Sequence, residues 1–392
     1  MNRLSELRQA LILPAWLAGI LIVIVGFTGS LVLTFDIAEK AHLSSAQLGS
    51  WMLAITVGSG LLMTGLSLWY KKPVITAWST PGLAVLASSL VHYSLSEAVG
   101  AYIFVGLAIV FLGVTGLFER VMKLVPQSVA MAVLGGVLLK YGLGIFSALN
   151  LEPVLVGVMI LAFLIAKRIS RVPMAWSLLA GFVIAAVLGK FQLAGLKLEF
   201  AQPVFIAPIF SAQAIVGLGL PLLALALASQ NAPGLAVMRA YGYEPPTKGA
   251  LVSTGIMSVI FAPLLGHGFT LAAITAAIGN ADSAHPNRDL RYGAGVAAGI
   301  IKIALGLFGT TIVALFLAVP KPLVAGMAGL ALAGTIQGCL VGAFADTKTR
   351  DSSIFALLVT AAEVPFFGLG SAFWGLVAGV VVHYTLENRR IT

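Results

Sequence analysis

The chain has 392 residues, 59% of them hydrophobic and only 9% charged, with a mean hydropathy of +1.04. No water-soluble domain of this length hides so much apolar surface, so the composition calls for an integral membrane protein. The net charge of +9 would suggest nucleic acid in a soluble protein, but here the cations sit in short loops between apolar runs, and nucleic acid is excluded as a partner.

Residues 11–35 form a first span that reaches full length without a small-residue cleavage site, so no signal peptide is expected. Residues 46–68 form a second, ending at the membrane border Trp69-Tyr70-Lys71-Lys72. The third segment, residues 74–88, changes character partway along. Val74, Ile75 and Thr76 are β-branched and favour an extended chain, whereas Ser79 or Thr80 can cap a helix that Pro81 opens. A short strand followed by a half-helix is predicted there. The fourth span covers about 98–118, Pro126 opens the fifth, and Glu152-Pro153 separates it from a sixth that ends at Lys167-Arg168. Residues 173–189 are the seventh, and a polar linker covers 190–213.

Beyond the linker, residues 214–241 form an eighth span that carries Ser229-Gln230-Asn231, and 249–264 a ninth. The tenth, 266–279, is short and irregular: it begins extended and turns helical near Thr275. Residues 292–318 make the eleventh, and three more begin at Pro320, Ile354 and Leu369. The lone Cys339 excludes an intrachain disulfide or a thiolate metal cluster.

The second half copies the first. Leu112-Gly113 recurs as Leu305-Gly306, Val125-Pro126 as Val319-Pro320, and Trp176 with Gly181 as Trp374 with Gly379, in the same order and at offsets of 193, 194 and 198 residues. A repeat of seven spans is odd, so the second copy enters the membrane inverted. The predicted fold is therefore an all-α polytopic membrane protein with about 14 transmembrane segments as a 7+7 inverted repeat (1–189 and 214–392). Segments 3 and 10 are each a short strand plus a half-helix. Of the 23 Lys and Arg, 17 fall in loops on the side of the N-terminus and four opposite (Lys40, Lys190, Lys197, Lys321), which leaves Lys140 and Lys302 within spans. That asymmetry places both termini in the cytoplasm.

Two broken helices entering from opposite sides would aim their N-termini at one midplane spot, an arrangement suited to an anion. Gln230 and Asn231 join them as ligand contacts, with helix-to-helix glue as the alternative. Lys140 lies about 21 Å along its helix from Pro126, and Lys302 about 16 Å from Arg291. Either attracts substrate or snorkels. Glu363, before Pro365, is a proton relay or a border residue. His267 is expected at the outer surface. His285, with Asp282 and Asp289, reads as a structural loop rather than a metal site. There is no HExxH, GxSxG or Walker sequence, so neither an enzyme nor a cofactor is expected.

Residues 77–82 (AWSTPG), 229–234 (SQNAPG), 272–277 (AAITAA), 284–286 (AHP) and 371–375 (SAFWG) together resemble the bacterial benzoate:proton symporter family, BenE, over nearly the whole chain. The resemblance implies the fold of nucleobase and sulfate-type transporters. In that fold a core domain (about 11–118 and 214–318) carries substrate past a gate domain (about 126–189 and 320–386). It also implies import of benzoate or a similar aromatic carboxylate with a proton, by an elevator form of alternating access in the inner membrane, and leaves a homodimer open. The rival readings are an anion channel and a carrier of another organic anion. One departure stands out: nucleobase carriers place a carboxylate on the eighth span, whereas this chain has Gln230 and Asn231, which suits an anionic ligand.

With that substrate, the carboxylate is expected near Ser79, Thr80, Gly82 and Thr275, the ring against Trp78 and Phe269, and Ala273 and Ile274 beside them. Lys140 is favoured over Glu363 as proton carrier, with Lys302 and the substrate itself as further routes.

Overall fold

The computed structural model describes residues 3–118, 120, 126–169, 173–191, 198–272, 274–363, 366 and 371–387. Among them, eight helices are long and apolar enough to cross a membrane. After a short α1 (Arg3–Ala10), α2 (Leu13–Lys40) starts with Pro14 in its first turn, where the missing N–H costs nothing. Capping boxes open α3 (Ser45–Tyr70), through Ser44 and Gln47, and α5 (Leu95–Thr115), through Ser94 and Glu97. Between them lie strand β1 (Thr76–Trp78) and the ten-residue helix α4 (Thr80–Ser89). Helices α6 (Gln127–Leu151), α7 (Pro153–Ile169) and α8 (Pro173–Val187) complete the first half.

Helix α9 (Ala212–Arg239) is widened into π geometry over Ile215–Gly219 and Ala226–Asn231. Pro221 and Pro233, which follow these stretches, each withhold an N–H from the ladder, and the helix absorbs the loss by widening. Then come α10 (Thr247–Phe261), strand β2 (Phe269–Leu271) and the seven-residue α11 (Ile274–Asn280). The single run predicted over 292–318 is two helices, α12 (Tyr292–Leu307) and α13 (Gly309–Leu317). The break lies between Gly306 and Gly309, both pressed against α3: a Cβ on either would come within about 3.0 Å of α3 backbone atoms at Val57 or Gly49. Helix α14 (Lys321–Phe344) is long, whereas α15 (Arg350–Ala361) and α16 (Ser371–Val382) have 12 residues each.

Helices α3 and α12 pack together, as do α5 with α10, α6 with α14 and α15, α7 with α8, and α15 with α16. Lipid offers no hydrophobic drive between helices, so close approach of small residues sets these contacts. A Cβ on Gly60 would stand 2.7 Å from the Gly299 carbonyl oxygen, and one on Gly255 2.6 Å from that of Gly106. Any larger side chain at either place would force the pair apart.

Candidate functional site

The two broken segments meet. Strands β1 and β2 pair antiparallel with Thr76 opposite Leu271, Ala77 opposite Thr270 and Trp78 opposite Phe269. Beyond that ladder, Ala272 N–H donates to the Ile75 carbonyl at 2.9 Å, and Ser79 N–H to the Gly268 carbonyl at 3.1 Å. Two short strands at membrane depth thereby satisfy each other's backbone, which neither could do against lipid. Where β1 ends, Ser79 turns the chain into α4, its hydroxyl accepting from Gly82 N–H at 2.9 Å. Ser79, rather than Thr80, is thus the cap. Thr80 is half-buried at the first helical position, and Gly82 is buried.

On the opposite side β2 runs past the second π stretch of α9. Asn231 is fully buried, and its Oδ1 accepts from Leu271 N–H at 2.9 Å. The other half of that amide, Nδ2, has no partner among the described residues, and neither do the buried hydroxyls of Ser229 and Thr270. A buried donor left unpaired costs about 1–3 kcal/mol. Three such groups within a few residues of the strand crossing are what a polar ligand would satisfy. Gln230 is half-buried and Thr275 is buried on α11, which begins at Ile274 as the sequence indicates. Ala273 and the side chain of Ile274 lie outside the described residues.

The aromatic candidates are packed into the floor of the crossing. Trp78 is 5.0 Å from Phe27, edge to face, and Phe269 lies against Phe261 and over Gly58. Helices α6 and α16 cover the outer side of α4, and α6 also touches the amide stretch.

His267 is not at a surface. It is 1% exposed, between Trp51 of α3 and the cap of α4. Trp51 Nε1–H donates to His267 Nδ1 at 3.0 Å, and His267 Nε2 lies 3.2 Å from the Ser79 carbonyl. An indole N–H only donates and a carbonyl only accepts, so the ring is neutral with its proton on Nε2. Its role is to hold Ser79. Gly266 and Gly268 flank it just before a segment predicted to mirror the third, a sign that it stood at membrane depth. Trp51→Phe would keep the edge-on ring contact and leave Nδ1 unpaired. The expected cost is about 1–3 kcal/mol of stability, read as a lower melting midpoint in detergent.

The charged candidates separate. Lys302 is 2% exposed and touches β1, with Nζ donating to the Thr76 carbonyl at 3.1 Å. Lys140 and Glu363, competing candidates by sequence, form one ion pair at 2.5 Å, with side chains 54% and 39% exposed. Helix α15 rises about 18 Å over 12 residues. That is shorter than a hydrocarbon core about 30 Å thick, and Glu363 follows its last turn. His285, for its part, bonds Asn287 N–H and the Gln9 carbonyl, each at 3.0 Å, as a structural loop residue would. An apolar cavity of about 310 Å³ lies elsewhere, among Phe182, Phe191, Leu315 and Met327. It has no polar group to hold a carboxylate.

A family model described as benzoate membrane transport protein, BenE, matches residues 9–385. The chain is 39% identical over 375 residues to the inner membrane protein YdcO of Escherichia coli (strain K12), covering 95% of this chain and 96% of that protein. It is 38% identical over 384 residues to the benzoate membrane transport protein of Acinetobacter baylyi (strain ATCC 33305 / BD413 / ADP1), covering 98% of each. Among solved structures, the transmembrane domain of a cyanobacterium bicarbonate transporter, BicA, superposes with a TM-score of 0.59 at 15% identity, over 94% of this chain and 96% of that one. The structure of SLC26A9 gives 0.59 at 12% identity, over 95% of this chain and 64% of that one. At such identities the likeness speaks to the fold.

Proposed function

This chain belongs to the benzoate membrane transport family, BenE, and from that premise we propose that it imports benzoate or a similar aromatic carboxylate together with a proton. The observation that carries the proposal is Asn231. Its Oδ1 fixes β2, and its Nδ2 is buried with no partner among the described residues, in a stretch of α9 that packs against α4. The capped N-terminus of α4 supplies unpaired N–H groups and the positive end of a helix dipole. The carboxylate binds there, near Ser79, Thr80 and Gly82, with Asn231, Gln230 and Thr275 completing the polar shell and Ala273 and Ile274 at its edge. Trp78 and Phe269 form the floor beneath the ring. Helix α11, at seven residues, adds little dipole of its own. No carboxylate stands on α9 to repel an anion.

The frame of this reading is a 7+7 inverted repeat of 14 spans in the inner membrane, with both termini on the cytoplasmic side. Two contacts support the repeat. Gly60 meets Gly299 and Gly106 meets Gly255, and Gly60 precedes Gly255 by 195 residues while Gly106 precedes Gly299 by 193. The core (about 11–118 and 214–318) moves against the gate (about 126–189 and 320–386) as an elevator. The site lies where α6 and α16 of the gate cover α4 of the core.

Benzoate arrives ionised at neutral pH, since carboxylic acids titrate near pH 4, and an inside-negative potential opposes its entry. One proton per anion cancels that penalty. The proton falls to the Lys140–Glu363 pair: a proton taken by Glu363 frees the Lys140 ammonium to draw the anion inward. The direct test is uptake of radiolabelled benzoate into proteoliposomes under an imposed pH gradient. Saturable accumulation that a protonophore collapses is expected. Currents far faster than a conformational cycle would instead make the protein an anion channel. Because the two residues are paired, Lys140→Met and Glu363→Gln should both lose pH-driven accumulation and both retain exchange of labelled for unlabelled benzoate. Accumulation that survives Glu363→Gln removes the pair as carrier and turns attention to protonation of the substrate.

A further inference from the structure

Lys302 is a buried lysine that no carboxylate accompanies among the described residues. Its Nζ donates to the Thr76 carbonyl at 3.1 Å and to Ser59 Oγ at 3.4 Å, and lies 5.0 Å from the centroid of the Trp78 ring. Among the described residues no acidic side chain is within ion-pair distance of it. Such a group is costly at membrane depth, and proteins retain it where it acts. The fold does not require it. Lys302 stands three residues after Gly299, which meets Gly60; three residues after Gly106, in the matching contact with Gly255, stands Ile109. Ile109 is fully buried, so an apolar side chain fills the equivalent place in the other half.

We propose that Lys302, when protonated, is the positive charge by which this site selects anions over neutral ligands of the same shape. It acts from behind β1 without touching the substrate. Thr76 precedes the Ser79 cap by three residues of extended chain, about 10 Å at about 3.3 Å per residue. At that separation a unit charge in protein surroundings changes the affinity for an anion by roughly tenfold. The intervening strand and the Trp78 ring keep the ammonium from forming a direct ion pair, which would hold the anion too tightly for release. This inference rests on the carboxylate lying at the α4 N-terminus.

Calorimetry on the purified full chain, with benzoate and its neutral analogue benzamide, tests both claims apart. The wild type should prefer benzoate. Lys302→Met should lose about tenfold in benzoate affinity and nothing for benzamide, and Lys302→Arg should restore the preference. An equal loss for both ligands, or unchanged benzoate binding, overturns the inference and leaves the site reading in place. Wild-type protein that binds neither ligand overturns both. Should the methionine variant not fold, the wild type carries the test: raising the pH removes the lysine proton, so the benzoate preference falls, and in Lys302→Arg it does not. His267, which faces Ser79 at the other end of β1, is common to both proteins. A preference that stays flat with pH in the wild type overturns the inference.

Discussion

Asn231→Asp is expected to abolish benzoate binding while leaving the protein folded. The substitution is nearly isosteric, and Oδ1 still accepts from Leu271 N–H, the bond that ties α9 to β2. Only the free Nδ2 donor changes, into an oxygen that either repels a carboxylate or requires a proton to tolerate it. Loss of a donor to a charged group costs about 1.5–3 kcal/mol, so affinity should fall by at least about tenfold from the lost bond and further from the repulsion. Calorimetry beside a melting curve separates this from unfolding. Asn231→Ala would be a poorer probe, since it also orphans Leu271 N–H. Benzoate binding at wild-type strength in the aspartate variant would place the substrate away from this amide.

Thr80→Asp should be equally severe for binding and should also leave the protein folded. A carboxylate in the first turn of a helix is favoured by the macrodipole by about 0.3–1 kcal/mol, and Thr80 is the first residue of α4, half-buried just after the Ser79 cap. That attraction offsets part of the cost of a carboxylate at membrane depth, so the variant should stay folded, with a melting temperature at or below that of the wild type. The same charge occupies the end of α4 where the substrate carboxylate is to sit, so benzoate binding should vanish, whereas Thr80→Asn should retain much of it. Intact binding in a folded Thr80→Asp protein would remove the α4 N-terminus from the site.

Much of the local structure around the candidate site was legible because its signals are local. A hydroxyl followed by proline marks a helix start within one turn, and Ser79 with Pro81 does so here. Adjacent amides before Pro233 mark a polar, widened stretch, and Asn231 proved to be the residue that touches the opposite strand. Gln230 and Thr80 were named on the same grounds and lie beside the crossing, half-buried. The roles of the charged side chains were not legible. Lys140 and Glu363 are 223 residues apart and compete as candidates until their contact is seen. His267 was expected at the outer surface, yet Trp51, 216 residues away, makes it part of the support for Ser79.

The sequence by itself determined that the chain lives in a bilayer, where most spans begin and end, and where two of them break. Those features follow from hydropathy, capping and proline chemistry summed over about 20 residues or fewer. Only the tertiary structure decided what each break faces. The pairing of Ala77 with Thr270, the Thr76 carbonyl under Lys302 and the Trp51–His267–Ser79 chain join segments about 190 residues or more apart. No local preference encodes such contacts. They exist because glycine contacts such as Gly60 with Gly299 bring the helices close, and because two open strands at membrane depth have only each other to bond.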